Sequence, residues 1–284
     1  MAVKWQVSRF DIDLTQPRVM GIVNVTPDSF SDGGLRSGLT EIMQHAERLL
    51  KEGADILDIG GESTRPGSPA VPLEEELARV LPVVKEAVRL QVPVSVDTYK
   101  PEVMRAVLDV GADIINDIWA LRQPGAREII AAHARCGICL MHMHQTPQDM
   151  HLQHMQGDAV WQVKEFLAAQ WLALQAMGVV RERVVLDYGI GFGKSVEQNF
   201  ALLAGQHALL DLDLPLLAGW SRKGSLGTVT GALVHERMVP SVTAAVLAVD
   251  RGARVVRVHD VAETVIALKV WNAMQAQVAD GINR

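Results

Sequence analysis

Polar side chains recur at the carboxyl ends of short apolar runs in this chain of 284 residues. Apolar runs of this kind are typical of buried parallel strands. The groups at their ends are amides, carboxylates, imidazoles and cations, namely Asn24, Asp58, Asp97, Asn116, His142, Asp187, Lys223, Arg257 and His259. Any one of them could be a helix cap or a turn former, but a structural barrel needs no polar group at nearly every strand end. The set predicts hydrogen-bonding and anion-binding chemistry in one pocket, because the carboxyl ends of barrel strands converge.

The stretch Met20 to Gly34 shows the pattern most clearly. It reads MGIVNVTPDSFSDGG, an apolar run that ends at Asn24 and then breaks at Thr26-Pro27-Asp28 into a loop closed by two glycines. A buried strand that delivers polar groups to a loop has this composition, since the strand is covered on both faces while the loop carries chemistry.

Strand-like and helix-like segments alternate along the rest of the chain. The predicted strands lie near 19–23, 56–59, 94–96, 114–115, 138–140, 184–186, 216–217 and 255–258. The predicted amphipathic helices are 41–51, 73–90, 101–110, 126–134, 158–177, 196–210, 239–251 and 261–276. Three helix-to-strand joints repeat one pattern around Gly53, Gly111 and Gly252, where a helix needs a left-handed residue.

Eight strand–helix pairs in this length match a closed (β/α)8 barrel, the TIM barrel. An open doubly wound sheet is the alternative, although it does not need eight such units. Alternating apolar and polar residues from Val3 to Leu14 predict a short N-terminal β-hairpin. No linker-like or charged block divides the chain, so we expect one domain, with the hairpin at 1–16 and the barrel at 17–280.

Composition limits the partners and the location. A net charge of −6 and a pI near 5.8 argue against a general nucleic-acid or anionic-membrane surface, so an anionic ligand would be held by a few placed cations. No apolar run reaches membrane-spanning length, and Lys4, Gln6 and Arg9 interrupt the start, so no signal peptide is expected. Two cysteines in a chain of this size favour a reducing, cytoplasmic compartment.

From Met20 to about Ala276 the chain resembles the dihydropteroate synthase family of pterin-binding barrels. The matching segments are MGIVNVTPDSFSDGG at 20–34, DIGGESTRPG at 58–67, VSVDTYKPEV at 94–103, INDI at 115–118, LMHM at 140–143, LDYGIGFGK at 186–194, GWSRKGSLG at 219–227 and RVHD at 257–260. The family forms a (β/α)8 barrel, which agrees with the strand count made independently.

The resemblance implies an alkyl/aryl transferase of folate synthesis. It would condense (7,8-dihydropterin-6-yl)methyl diphosphate with 4-aminobenzoate and release diphosphate. By resemblance, the pterin edge is bound by Asp97, Asn116 and Asp187, with Met141 on the ring, Gly219 beside it and Lys223 at its carbonyl. A site that hydrogen-bonds a polar edge rejects analogues that lack it, because its own groups would be left unpaired.

The resemblance also assigns the anion and the second substrate. Diphosphate would be held by Asn24, Thr64, Arg257 and His259, with Asn24 at a Mg2+ ion that has few protein ligands. The 4-aminobenzoate site would comprise Phe30, Thr64, Arg65, Pro66, Phe192, Lys223, Gly224 and Ser225. Loops 26–34 and 63–69 are expected to close as lids, with Asp32 and Arg65 paired, and so to exclude water from a dissociative substitution. A homodimer is a family expectation.

Two positions depart from the family pattern. Tyr188 stands where the family commonly has proline, which would alter the loop that leads to Phe192. Gly224 stands where the family often has a serine that helps to seat the 4-aminobenzoate carboxylate. Backbone N–H groups at Gly224 and Ser225 would still serve this purpose, because a helix start binds anions without side chains.

Other interpretations remain open at this point. Asp97 could cap the helix that follows, and Arg257 with His259 could form a surface ion pair with Asp260. The Cys136–Cys139 spacing indicates core packing rather than a redox pair. Two other functions are compatible with the barrel. One is a pterin-binding methyltransferase, which would not be expected to carry the SRK or RVHD segments, and the other is a divergent paralogue that binds pterin without synthase activity.

Overall fold

The fold is a closed barrel of eight parallel strands, seen in a computed structural model that describes residues 4–25, 34–63, 67–146, 149–150 and 152–281. Two short antiparallel strands come first, β1 (Lys4–Gln6) and β2 (Asp11–Asp13). The barrel strands are β3 (Arg18–Asn24), β4 (Ile56–Gly60), β5 (Val94–Asp97), β6 (Ile114–Asp117), β7 (Gly137–Met141), β8 (Val184–Asp187), β9 (Leu216–Ala218) and β10 (Ala253–Val258). Each pairs with the next in the chain, and β10 pairs with both β9 and β3, which closes the barrel.

Helices follow the strands and pack around them. They are α1 (Gly34–Glu52), α2 (Leu73–Ala87), α3 (Pro101–Asp109), α4 (Ala126–Ala132), α5 (Ala159–Ala176), α6 (Val196–Ala204), α7 (Gly224–Thr230), α8 (Met238–Asp250) and α9 (Val261–Gly281). The predicted (β/α)8 barrel with an N-terminal hairpin is confirmed, and the open sheet is wrong. Within the described ranges, the helices are all too short or too polar to traverse a lipid bilayer.

The largest differences between the predicted and the observed helices occur at three places. α1 begins at Gly34 rather than Glu41, since Leu39 continues its apolar face toward the N-terminus. The helix predicted over 196–210 ends at Ala204, and a 3-10 helix follows it. The break buries the Gln206 side chain, which donates to the Ala248 carbonyl at 2.9 Å. The short helix α7 was not predicted as a separate element.

The three predicted glycine joints have the expected backbone conformation. Gly53, Gly111 and Gly252 have φ values of 104°, 103° and 102°, a region that residues with a Cβ rarely adopt. Each joint turns the chain from the end of a helix into the next strand, so the repeat in the sequence reflects a repeat in the structure.

The N-terminal hairpin closes the lower end of the barrel, the end at which the parallel strands begin. Trp5, Val7, Ile12 and Leu14 are buried against side chains that fill the barrel interior, namely Met20, Ile56, Ile114, Cys139, Val185, Leu217 and Val255. The Trp5 indole N–H donates to the Arg183 carbonyl at 2.9 Å. A Cβ at Gly137 would lie 2.6 Å from Val7, so this position leaves room for the hairpin. The carboxyl ends of the strands are left as the open face.

Candidate active site

A buried cation joins two buried carboxylates at the open face of the barrel. Arg257, near the end of β10, donates from Nε to Asp58 at 2.6 Å and from Nη2 to Asp97 at 2.8 Å. Asp58 also accepts from the Ser95 hydroxyl at 2.6 Å and from the Asn116 amide at 3.3 Å. Asp97 and Asn116 face the same way because they are partners in the register of β5 and β6. The arrangement links four strands through side chains.

Burial and charge oppose each other in this cluster. Burial raises the pKa of Asp97 to about 7, although the Arg257 guanidinium pulls it down. Burial also disfavours the charge on Arg257, but Asp58 and Asp97 outweigh it and raise the pKa of the guanidinium. Arg257 therefore stays cationic at every accessible pH. A ligand that hydrogen-bonds Asp97 meets a carboxylate already in contact with a positive charge.

Asp187 and Lys223 form the opposite side of the pocket. Asp187, the last residue of β8, is 6% exposed and accepts from the Gly189 backbone N–H at 2.7 Å. Burial raises its pKa, and the backbone N–H and Lys223 work in the other direction. Burial lowers the pKa of Lys223 to about 8, with Asp187 partly offsetting the effect. A Cβ at Gly219 would stand 3.8 Å from the Asp187 carboxylate, an ordinary contact distance that places Gly219 beside Asp187.

An apolar wall lies beside these polar groups. It consists of the buried side chains Ile118, Met141, Met143, Met150 and Phe192, with Tyr99 and Trp119 packed against them. The Lys223 ammonium lies 4.3 Å from the centroid of the Phe192 ring, which joins the wall to the polar side by a cation–π contact. The pocket thus combines a flat apolar surface with convergent hydrogen-bonding groups, as sites for flat polar heterocycles do.

Asn24 and His259 lie on the remaining side of the face. Asn24 is exposed at the end of β3, one strand away from β10, and its register partner in β4 is Gly60. His259 follows β10 and its Nδ1 is 2.9 Å from the Ser221 hydroxyl. The alternative ion pair with Asp260 is wrong for Arg257, because Asp260 instead accepts from Arg222 at 2.6 Å. The capping alternative for Asp97 is also wrong, since α3 has Lys100 at its N-cap and no side-chain cap.

The residues predicted for 4-aminobenzoate are described only in part. Phe30, Asp32, Thr64, Arg65 and Pro66 lie outside the described residues, as do positions 26–33 of the first predicted lid and 64–66 of the second. Gly224 is exposed at the start of α7, and a Cβ there would meet nothing within 4 Å. Ser225 is buried instead, and its hydroxyl accepts from the Asn199 amide at 2.9 Å. Asn199 also accepts from the Gly191 N–H, so it connects the Phe192 loop to α7.

One of the strand-end predictions is wrong. His142 does not join the pocket, because its ring is 5% exposed and packs edge-on against Phe166 of α5, with 4.9 Å between centroids.

Tyr188, the first departure from the family pattern, is fully buried and donates to Gln206 at 2.9 Å. Its side chain is part of the core, and its effect on the Phe192 loop stays a prediction.

Sequence analysis missed two residues that organise the site and gave a third no specific role. Asp58 was included among the polar strand ends, but no ligand or partner was assigned to it. Ser221, two residues before Lys223, contacts His259. Lys194 is 4% exposed and donates to the carbonyls of His142, Gly189 and Phe192, at 3.3, 2.7 and 3.3 Å. The available signal in the sequence was a lysine at the end of the glycine-rich segment GIGFGK, at 189–194. Its burial could be seen only in the structure.

Comparison with known proteins gives a consistent picture. The sequence profile of the family described as pterin binding enzyme matches residues 20–259. Dihydropteroate synthase from Neisseria meningitidis serogroup B is 49% identical over 276 residues, which is 95% of this chain and 97% of that protein. The crystal structure of Burkholderia cenocepacia dihydropteroate synthase complexed with 7,8-dihydropteroate superposes with a TM-score of 0.88 at 49% identity, covering 98% of this chain and 99% of that one. The structure of Xanthomonas albilineans dihydropteroate synthase with 4-aminobenzoic acid superposes with a TM-score of 0.90 at 50% identity. The match covers 97% of this chain and 99% of that one.

Proposed function

Because this chain belongs to the dihydropteroate synthases of the pterin-binding enzyme family, we propose that the residues around Arg257 bind and activate a dihydropterin diphosphate. The chain condenses (7,8-dihydropterin-6-yl)methyl diphosphate with 4-aminobenzoate to give 7,8-dihydropteroate and diphosphate. The single observation that supports the residue assignment is the convergence of Asp97, Asn116 and Asp187 at one open barrel face, beside an apolar wall.

The pterin is held by its polar edge. Asp97, Asn116 and Asp187 offer oxygens and an amide to the ring nitrogens and the amino group, and Lys223 donates to the ring carbonyl. Met141 lies on the flat face of the ring, beside Phe192. Carboxylates fixed by Arg257 and by the Gly189 N–H lose little rotational freedom on binding, because their orientation is set before the substrate arrives.

The substitution is dissociative. The bond from the pterin methylene carbon to diphosphate breaks, the electron pair leaves with diphosphate, and the electron-rich dihydropterin supports the cation. The amine nitrogen of 4-aminobenzoate then forms the new bond and loses a proton to solvent. Donors from His259 and Asn24, and the charge of Arg257, stabilise the leaving group as its charge develops. The lids, which include residues outside the described ranges, exclude water that would trap the cation.

A Mg2+ ion fits the chemistry of this donor set. Asn24 is an exposed carboxamide at the strand end, whereas Asp58 and Asp97 are already occupied by Arg257. Within the residues that the structure covers, no cluster of three His, Cys, Asp or Glu forms a dedicated metal cage. Mg2+ typically keeps several waters and takes few protein ligands, so Asn24 would be the residue that holds it on the protein side. When bound, the ion supplies charge neutralisation of the diphosphate.

The proposed function is tested by measuring diphosphate release. Release that depends on added 4-aminobenzoate, with 7,8-dihydropteroate formed in equal amount, is the expected result. Methyl transfer to a corrinoid would favour the methyltransferase, and pterin binding without any release would favour the non-catalytic paralogue. Omitting Mg2+ and titrating it back, with diphosphate binding followed by calorimetry, tests the metal separately from turnover.

The charge of Lys223 predicts the alkaline limb of the pH profile. Since burial lowers its pKa to about 8, the ammonium is present below that pH and is lost above it. We expect kcat/KM for the pterin substrate to fall about tenfold per pH unit well above pH 8. Lys223→Arg should move this limb to higher pH, because a guanidinium keeps its charge. A limb that stays in place in Lys223→Arg would assign it to another group.

We also propose a homodimer that forms through α8 and α9. Large apolar side chains are exposed along these adjacent helices, including Ile266 at 62%, Val270 at 70% and Met274 at 48%, which share one face of α9. Val239 and Leu247 on α8 are 64% and 40% exposed. Exposed apolar side chains on two packed helices are typical of an interface. A second copy of the chain is the occupant that the family expectation favours.

A charge on this face should separate the protomers. Val270→Asp is expected to convert the protein to a monomer in sedimentation velocity, because an unpaired carboxylate would be buried in the interface. Leu172→Asp is the matched control, since Leu172 on α5 is 60% exposed on a different helix. A dimer that survives Val270→Asp but dissociates in Leu172→Asp would place the interface on α5.

We also propose a cytoplasmic location. The free, buried thiols of Cys136 and Cys139 are consistent with it.

A further inference from the structure

One hydroxyl oxygen makes two contacts with His259. Ser221 Oγ accepts a hydrogen bond from the His259 backbone N–H at 3.1 Å and lies 2.9 Å from the ring nitrogen Nδ1. Ser221 is 8% exposed. A hydroxyl has one hydrogen and two lone pairs. Because the backbone N–H already occupies one lone pair, the question is whether the ring nitrogen donates to the oxygen or accepts from it.

The remaining hydrogen bonds decide the direction. In the described part of the chain, no other acceptor lies within hydrogen-bonding distance of the Ser221 hydroxyl. If Nδ1 donated, the oxygen would accept twice and its own hydrogen would have no protein partner. If Nδ1 accepts, the hydroxyl hydrogen and Nδ1 are both paired, which is the rule for buried polar atoms. A neutral imidazole that accepts at Nδ1 carries its hydrogen on Nε2.

The ring is neutral in this environment. Burial lowers the pKa of His259 to about 3, and Arg257, Arg222 and Lys223 act in the same direction, while Asp260 opposes them. The ring therefore has one donor nitrogen and one acceptor nitrogen at neutral pH. Which of them faces the leaving group determines whether His259 attracts a departing anion through an N–H or repels it with a lone pair.

We propose that Ser221 is a positioning residue that holds His259 as the Nε2–H tautomer, so that the ring donates to the diphosphate leaving group. The inference rests on the proposed function, in which His259 contacts diphosphate. It gives the serine of the SRK segment a role distinct from those of Arg222 and Lys223.

The turn that carries Ser221 is bonded to its neighbours, including the segment that carries His259. Ser221 lies in the turn between β9 and α7, and the next residue, Arg222, has a left-handed φ of 56°. The Arg222 backbone N–H donates to Ser241 at 2.8 Å, and its guanidinium binds Asp260, the neighbour of His259, at 2.6 Å. A left-handed non-glycine residue persists only where its surroundings hold it. The first bond ties the turn to α8 and the second ties it to the segment after β10, so the position of Ser221 relative to His259 is held by its neighbours.

The test is nitrogen-15 NMR of the histidine side chains in the full chain. His259→Gln assigns the His259 signals by their loss. In the unmodified protein, we expect Nε2 to be protonated and Nδ1 to be unprotonated. Ser221→Ala should populate the Nδ1–H tautomer, lower kcat by roughly 100-fold, the lower end of the range for loss of one oxyanion donor, and leave KM for 4-aminobenzoate nearly unchanged. Ser221→Thr, which keeps the hydroxyl, should restore both the tautomer and the rate.

Ser241→Ala is the matched control. Ser241 is buried, supports the same turn and does not contact His259, so its replacement should lower stability without changing the tautomer. An Nδ1–H ring in the unmodified protein would overturn the proposal, and this measurement needs no variant of Ser221. An unchanged tautomer and unchanged kcat in Ser221→Ala would also overturn it. The proposed role of His259 fails separately, if His259→Gln binds diphosphate as tightly as the unmodified protein.

Discussion

Replacing Arg257 by methionine is expected to lower turnover by roughly 1,000-fold and to destabilise the fold at the same time. The guanidinium contacts both Asp58 and Asp97, and Asp58 is fully buried. Without it, two carboxylates are left close together with no cation between them. Removing one partner of a buried ion pair typically costs about 3–5 kcal/mol in the free energy of unfolding. Steady-state kinetics and urea unfolding measure the two effects on the same sample.

Two further variants show which part of the loss in turnover and stability is specific to the contacts of Arg257. Arg135→Met removes the same side chain from an exposed pair with Asp11, where both partners are about half exposed, and should cost less than about 1 kcal/mol with no change in kcat. Arg257→Lys keeps a positive charge but cannot bind two carboxylates through a fork, so we expect it to regain stability more than activity. If Arg257→Met unfolds at the same urea concentration as the unmodified protein, the cation does not hold the two carboxylates together.

Replacing Trp5 by alanine is expected to cost about 3–5 kcal/mol in the free energy of unfolding while leaving kcat and both KM values unchanged at low temperature. The indole is fully buried at the closed end of the barrel and its N–H is bonded to Arg183, far along the strands from the catalytic face. In a chain of this size the loss corresponds to a decrease in Tm of roughly 10 °C. Differential scanning calorimetry and kinetics at 15–20 °C separate stability from activity.

The matched control for this variant is Trp161→Ala. Trp161 on α5 is 60% exposed, so the same truncation should change the unfolding free energy by less than about 0.5 kcal/mol. A loss of activity in Trp5→Ala that persists far below its Tm would mean that the hairpin shapes the catalytic face and does more than support the barrel.

The barrel was predictable because its signals are local. Apolar runs, the glycines at Gly53, Gly111 and Gly252, and the alternation of strands with helices each involve neighbouring residues, and each agrees with the final fold. The polar ends of the strands were predictable for the same reason, since the carboxyl ends of parallel strands meet on one face. His142 was misplaced because its strand position alone does not say which side of the barrel wall a side chain takes after the strand ends.

Long-range pairings could not be predicted in this way. Arg257 and Asp58 are 199 positions apart, and no local pattern distinguishes an arginine that binds phosphate from one that also binds two aspartates. The same holds for Tyr188 with Gln206 and for Ser221 with His259, where each side chain alone is an ordinary polar residue. These contacts depend on how the strands and turns are placed in three dimensions.

The N-terminal hairpin closes one end of the barrel, so substrates and products can use only the other end. Both substrates must therefore arrive, and both products must depart, through a single entrance. Asp97, Asn116 and Asp187 are buried, whereas Gly224 lies at the exposed rim. We therefore expect the molecule that occupies the deeper position to enter first and to be enclosed by the one that follows, so that the shape of the barrel sets the order of binding.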